Sequence, residues 1–190
     1  MDEWIAFFEP FFATRNATLA FVERLERLPL HDPSHRAKIM MHQTQRLVSI
    51  ADDIPSIRKG KESLQLLFLL VCAENIAKMH ENFHDEGQSR AYVRKFFDLF
   101  VVDADRTQLE SSFSTYARVP LDMAAVANAL YSVRCDVVHE GKYWGFHFHD
   151  GRKPMVNDDP DVIVSLTIAQ FRSIVVRGCI RAIQTYVPAP

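Results

Sequence analysis

Cysteine is scarce in this chain, and so is any excess of charge of one sign. Only Cys72, Cys135 and Cys179 occur in 190 residues. Three cysteines cannot all pair and these show no zinc-ligand spacing, so a reducing, cytoplasmic setting is expected rather than a disulfide framework. The formal net charge is −2, which gives no global attraction to nucleic acid and leaves only a local site for it. Long apolar runs are missing too. The longest, Leu64 to Ala73, is broken by Gln65 and followed by Glu74 and Asn75, about half the ~20 residues a membrane span needs. Asp2 and Glu3 follow Met1 with no basic stretch, so a secretory signal is not expected. No repeat, low-complexity tract or linker divides the sequence. The 48% apolar content and the length suit one domain over 1–190 with a full core.

What is there is helix after helix. Asp2 to about Leu28 is aromatic-rich and amphipathic, with Pro10 placed to kink it or split off its first part. Ser34 is a candidate N-cap for a second helix to about Ala51, which Pro55 and Gly60 close. Glu62 to about Phe83 is apolar nearly all round at first, as a buried helix is. Tyr92, Val93, Phe96, Phe97 and Phe100 share helical spacing in a fourth segment, and Asp105 to Ala117 suggests a weaker, polar helix. Pro120 and Asp122 open another, striped by Met123, Val126, Ala127, Leu130, Val133 and Val137. From Lys142 to Phe148 aromatic and smaller residues alternate, Asp150-Gly151 is a turn signal, and Asp161 to Leu166 is β-branched. These predict a small β-hairpin or irregular insert. Thr167 to Tyr186 is the final helix. The expectation is an all-α, up-and-down four-helix bundle over 61–190, with 1–60 as an added helical pair.

The chemistry concentrates at Arg134-Cys-Asp-Val-Val-His139, followed by Glu140 and Gly141. A guanidinium is always charged and its planar fork donates two hydrogen bonds to phosphate oxygens. An imidazole can take and return a proton near neutrality. Cleavage of RNA by its own 2′-hydroxyl needs both functions and no metal. Five residues of α-helix advance about 140° and about 7.5 Å, so Arg134 and His139 do not share a face of an ideal helix. They converge if the helix unwinds near the histidine, or a second copy supplies the complement. Gly141 is placed to end the helix. The plain alternative is a helix-end pair making ordinary caps or ion pairs with Asp136 and Glu140.

The stretch Leu130 to Trp144, LYSVRCDVVHEGKYW, resembles the signature of the HEPN superfamily, all-helical domains marked by R-x(4–6)-H near the end of the third core helix. Tyr131, Arg134, Val138, His139 and Gly141 match that pattern. Two positions depart from it. Cys135 stands where nuclease members carry Asn, Asp or His, with Asp136 next. Tyr143 follows His139 by four residues rather than two. The resemblance implies a metal-independent endoribonuclease without cofactor, of the kind found in toxins and antiviral defence. In it His139 takes the 2′-hydroxyl proton and Arg134 stabilises the pentacoordinate phosphate, giving 2′,3′-cyclic phosphate and 5′-hydroxyl ends. It also implies a homodimer with two motifs facing one cleft, and an antitoxin or sensor partner. The alternative it leaves open is a non-catalytic module that binds nucleotide, RNA or protein.

Other residues carry a sharp and a plain account side by side. Glu74 and Asn75 interrupt the most apolar helix; one of them orients Arg134 or His139, or both simply give packing specificity. Arg172, Arg177 and Arg181 line the last helix without an acidic neighbour, as a phosphate-tracking rim or a solvated face. Arg90, Arg94 and Lys95 beside Tyr92 form a second basic patch with the same two accounts. His80 with His84, and His147 with His149, have ligand-like spacing, but no third ligand is identifiable. A reactive Cys135 thiolate lacks a base, so a small packing residue is expected there.

Overall fold

The computed structural model describes residues 1–81, 87–142, 146–148, 154–156 and 159–186. Pro10 does divide the first segment. Helix α1 (Asp2–Phe8) passes into a 3-10 turn at Glu9–Phe11, and α2 (Arg15–Glu26) starts afresh under Thr14, whose Oγ1 accepts from Ala17 N at 3.2 Å. Phe8, Phe12 and Phe21 pack edge-on or tilted across this break. Trp4 stacks on His42 at 4.3 Å, and His42 Nε2 meets Glu26 Oε1 at 2.7 Å. These contacts fasten α1 and α2 to α3 (His35–Ile57). Ser34 occupies the N-cap position of α3, but its side chain makes no cap; instead its N–H donates to Asp32 Oδ1.

Helix α3 runs on through Pro55, where the sequence suggests a stop. A proline inside a helix strands the carbonyl four residues earlier. That carbonyl is Ala51 O, and Gln65 Nε2 donates to it at 3.2 Å from α4 (Glu62–His80). The one polar residue that breaks the longest apolar run thereby repairs the proline's defect in its neighbour.

Helix α4 is the axis of the fold. It packs against α3, α5 (Ser89–Phe100), α7 (Met123–Cys135) and α8 (Ile168–Tyr186). Its near-continuous apolar surface follows from being enclosed on several sides; Leu66, Leu69, Leu70, Cys72, Ala73, Ile76 and Ala77 are buried. The predicted apolar set of α5 is buried in full, and so is that of α7 except Val137. One continuous core extends from Ile5 to Ile183. Phe8, Phe96, Phe97, Phe113 and Phe171 are fully buried within it, each contributing about 1.5–3 kcal/mol of transfer free energy. Residues 1–57 thus belong to the same core, with α3 seated on α4 and α8. Thr167 and Gln170 form a reciprocal capping box at the start of α8.

The small sheet differs from expectation in two places. Helix α6 (Asp103–Ser112) stops before Ala117, because Phe113 turns extended and opens strand β1 (Phe113–Thr115). Its pairing with β3 (Asp159–Val164), Phe113 opposite Val164, buries the Phe113 ring completely and outweighs a weak local helix preference. The second difference is the position of the hairpin. Its strands are β2 (Pro154–Val156) and β3, giving the order β1-β3-β2, while 146–148 form no strand. The Asp150-Gly151 turn lies outside the described residues. The architecture is an α-helical bundle with a small antiparallel sheet.

Two residues test this packing. A Cβ on Gly178 of α8 would lie 2.7 Å from Phe96 Cζ. Gly178→Ala is therefore expected to lower unfolding stability by about 1–3 kcal/mol through overpacking, measured by urea denaturation; a neutral result would show that the Phe96 ring moves freely. His80, at the end of α4, packs on Phe100 and Tyr186, with Nε2 3.3 Å from Thr185 Oγ1. Burial pushes its imidazole below the ordinary 6.5, with Glu81 opposing. The fold favours the neutral ring, so its contribution is full above 6.5 and is lost as pH falls through the lowered folded value. His80→Phe is expected to flatten the fall of the melting temperature between pH 6.5 and that lowered value; an unchanged slope would count against this assignment.

Candidate functional site

The motif helix begins where Asp122 Oδ1 accepts from Ala125 N at 2.8 Å, and the buried stripe seats α7 on α4 and α5. Arg134 lies in its last α-turn. Beyond it, Asp136–Glu140 winds as a single π-helical turn. In α winding hydrogen bonds join residues four apart, and in π winding five apart. The wider turn reduces the angular separation of positions that lie five apart, which an ideal α-helix sets at about 140° for Arg134 and His139. The turn closes at Gly141, whose φ of 64° is left-handed and whose N–H donates to Asp136 O. Lys142 N donates to the same carbonyl at 3.1 Å. A Cβ on Gly141 would meet nothing within 4 Å, so backbone conformation alone favours glycine there.

Arg134 and His139 sit in contrasting surroundings. His139 is exposed and has no hydrogen-bond or ion-pair partner among the described residues. The Arg134 side chain is 17% exposed, and its Nε is buried with no hydrogen-bond partner. Its nearest carboxylate oxygen is Glu74 Oε2, 3.6 Å from one terminal nitrogen, an ion pair longer than a hydrogen bond. Glu74 projects from α4 and is itself 5% exposed. Its other oxygen accepts from Lys78 Nζ at 2.5 Å and from Ser89 Oγ at 2.6 Å. A buried carboxylate needs such partners, and here they come from three helices.

The ring of Tyr131, one turn before Arg134, completes the cluster. The Arg134 guanidinium carbon lies 5.4 Å from its centroid and that of Arg90, from α5, lies 5.7 Å away. Both are within cation–π range. Burial pushes the Tyr131 hydroxyl above its ordinary value, with Cys135 adding and Arg134 opposing, so the phenol stays neutral and is no general base. Behind Arg90, the Tyr92 ring has Lys95 at 5.4 Å and Lys78 at 5.8 Å, and Lys95 is held by Glu81 at 2.6 Å.

The structure therefore joins Arg134, Glu74 and the Arg90 patch, which are separate in sequence. Asn75, next to Glu74, is half-buried and has no hydrogen bond among the described residues. Asp136 is half-buried beside the motif and holds the π turn through its carbonyl. Tyr143, His84 and His149 lie outside the described residues. The arginines of α8 are a correction. Helix α8 packs chiefly on α3, α4 and α5, not beside α7. Arg172 is gripped bidentately by Asp52 at 2.6 and 2.7 Å, and Arg177 by Asp105 at 2.7 and 2.6 Å. Both forks are satisfied within the chain and supply no phosphate rim; Arg181 is exposed. Lys78 and Ser89 are the residues the sequence argument missed. The Glu74-to-Lys78 spacing of four on an apolar helix was the available signal.

Among the described residues, no group of three or more His, Cys, Asp or Glu side chains could hold a metal ion, and no helix is long and apolar enough to cross a membrane. A groove of about 420 Å³ between α2 and α8, lined by Phe12, Phe21, Leu25 and Ile183, has Arg24 as its one charged wall residue and no acid–base pair. No family model matches the chain, and no curated protein or solved structure proved similar to it.

Glu74 is the testable element. Glu74→Ala strands the cations gathered on it and is expected to cost about 3 kcal/mol. Glu74→Gln, which keeps an acceptor for Ser89, is expected to cost clearly less. Thermal melting of the two variants separates the cases, and equal losses would mean that the negative charge, which both variants remove, gathers the cluster without help from the acceptor and volume that Gln keeps.

Proposed function

We propose that this chain is a HEPN-like, metal-independent endoribonuclease that uses Arg134 and His139. The observation that carries this reading is the state of Arg134. Arg172 and Arg177 each donate two hydrogen bonds, from Nε and one terminal nitrogen, to a single carboxylate. Arg134 makes no hydrogen bond with any described residue, although it is mostly buried and steadied by Glu74. A fixed, unsatisfied guanidinium suits an anion that arrives with the substrate. The order α4, α5, α7, α8, with the motif at the end of α7, supports the same reading, as does an exposed His139 within the π turn.

In this mechanism His139 takes the 2′-hydroxyl proton as the 2′-oxygen bonds to phosphorus. Arg134 holds the equatorial oxygens of the phosphorane, a form of stabilisation worth roughly a hundredfold to a thousandfold in rate. The phosphorus–O5′ bond breaks and the 5′-oxygen leaves as a hydroxyl. Its proton comes from the His139 of a second copy, in a homodimer whose two motifs face one cleft. Such a protein would act on RNA in the cytoplasm, under an antitoxin or sensor partner. No cofactor takes part.

A second reading is a non-catalytic RNA- or nucleotide-binding module. It is favoured by Cys135, whose side chain meets that of Tyr131 where nucleases of the family carry a polar group, and by the lack, among the described residues, of any partner to orient His139. One assay separates them: cleavage of unstructured RNA in EDTA by wild type, Arg134→Ala and His139→Ala. Cyclic-phosphate ends from wild type, with at least hundredfold loss in both variants, are expected. Absence of cleavage, or equal cleavage by all three proteins, would leave the binding module, and a gain of cleavage in Cys135→Asn would identify a degenerate site.

A further inference from the structure

Arg90 stands outside the R-x(4–6)-H motif and on a different helix, yet it shares the Tyr131 ring with Arg134. It is exposed, and no carboxylate or hydrogen-bond acceptor among the described residues holds it. This distinguishes it from Arg106, Arg172 and Arg177, which all answer to acids of the chain. It also differs from Lys95, whose charge is matched by Glu81. Tyr131 stays a neutral phenol and compensates neither guanidinium with a full charge. Around one aromatic ring there are thus two cations with unused donors, one mostly buried and fixed, the other exposed. Each such fork can take a phosphate of its own, and a polynucleotide offers a second phosphate next to the first.

We infer that Arg90 is a second phosphate-binding residue of this site, holding the phosphate adjacent to the one at Arg134, so that the ligand is a single RNA strand of at least two consecutive phosphates rather than a mononucleotide. The inference rests on the proposal that Arg134 binds an RNA phosphate, but not on cleavage. Exposure of Arg90 at the first turn of α5 means its removal leaves the core intact, and its distance from the motif in sequence makes it independent of the residues that define the resemblance.

The test is binding of a 2′-O-methyl oligoribonucleotide of about nine residues, which cannot be cleaved, across a series of salt concentrations in EDTA. Wild type, Arg90→Ala, Arg90→Lys and Arg134→Ala are compared by fluorescence anisotropy. Arg90→Ala is expected to weaken binding about tenfold and to lower the salt slope by about 0.7, the release from one phosphate of a single strand. Arg90→Lys, which keeps the charge, should retain the slope. A dinucleoside monophosphate, titrated by NMR, has only one phosphate and should bind wild type and Arg90→Ala alike. Wild-type affinity and slope in Arg90→Ala would overturn the inference, and so would an equal loss on the dinucleotide, which would put both arginines on one phosphate. Arg90-dependent binding without cleavage of ordinary RNA would remove the nuclease reading and leave this inference standing. No RNA binding by wild type would end both.

Discussion

A carboxylate cannot lie bare in an apolar core, and Glu74 on the central helix is such a carboxylate. Lys78 reaches it from the next turn of α4, Ser89 from the start of α5 and Arg134 from the end of α7. This one requirement selects which side of an otherwise apolar α4 must face α5 and α7. The remaining sides, free of charge at that level, go to α3 and α8. Orientation of the bundle and placement of its cationic corner follow from the same side chain.

The arginines divide accordingly. Those that tie helices together are held by bidentate ion pairs: Arg172 joins α8 to α3 and rests over Phe7 and Phe11, and Arg177 joins α8 to α6. Those around Tyr131 are gathered by an aromatic ring and a shared, more distant carboxylate, which position a guanidinium without occupying its donors. A chain of formal net charge −2 can in this way keep two guanidinium groups with unused donors around one ring.

Periodicity carried most of the helical order. The stripes of α5 and α7, the Pro10 break, the Asp122 cap and the Gly141 terminus are local facts, set by spacing and by single-residue conformational limits. What local pattern could not reveal was pairing at long range. Phe113 becomes a strand only because Val164 lies opposite, and α3 survives Pro55 only because Gln65 is across from Ala51. The site divides along the same line. The pair Arg134 and His139 was visible as spacing, whereas the link from Arg134 to Arg90 through Tyr131 is a matter of helix packing. The arginines of α8 misled for the same reason: a helix without acids of its own can find them on α3 and α6.

The α3–α4 pair is latched at both ends. Gln65, near the start of α4, donates to the carbonyl that Pro55 strands near the end of α3. At the opposite end Arg36, near the start of α3, donates to Met79 O in the last turn of α4 at 3.3 Å. Axial creep of one helix along the other would break both latches together, since each fixes the same antiparallel register. Thermal breathing of this hairpin must therefore be lateral, a splaying of the two helices. The height of Glu74 relative to its partners on α5 and α7 is thus held by residues that never touch it.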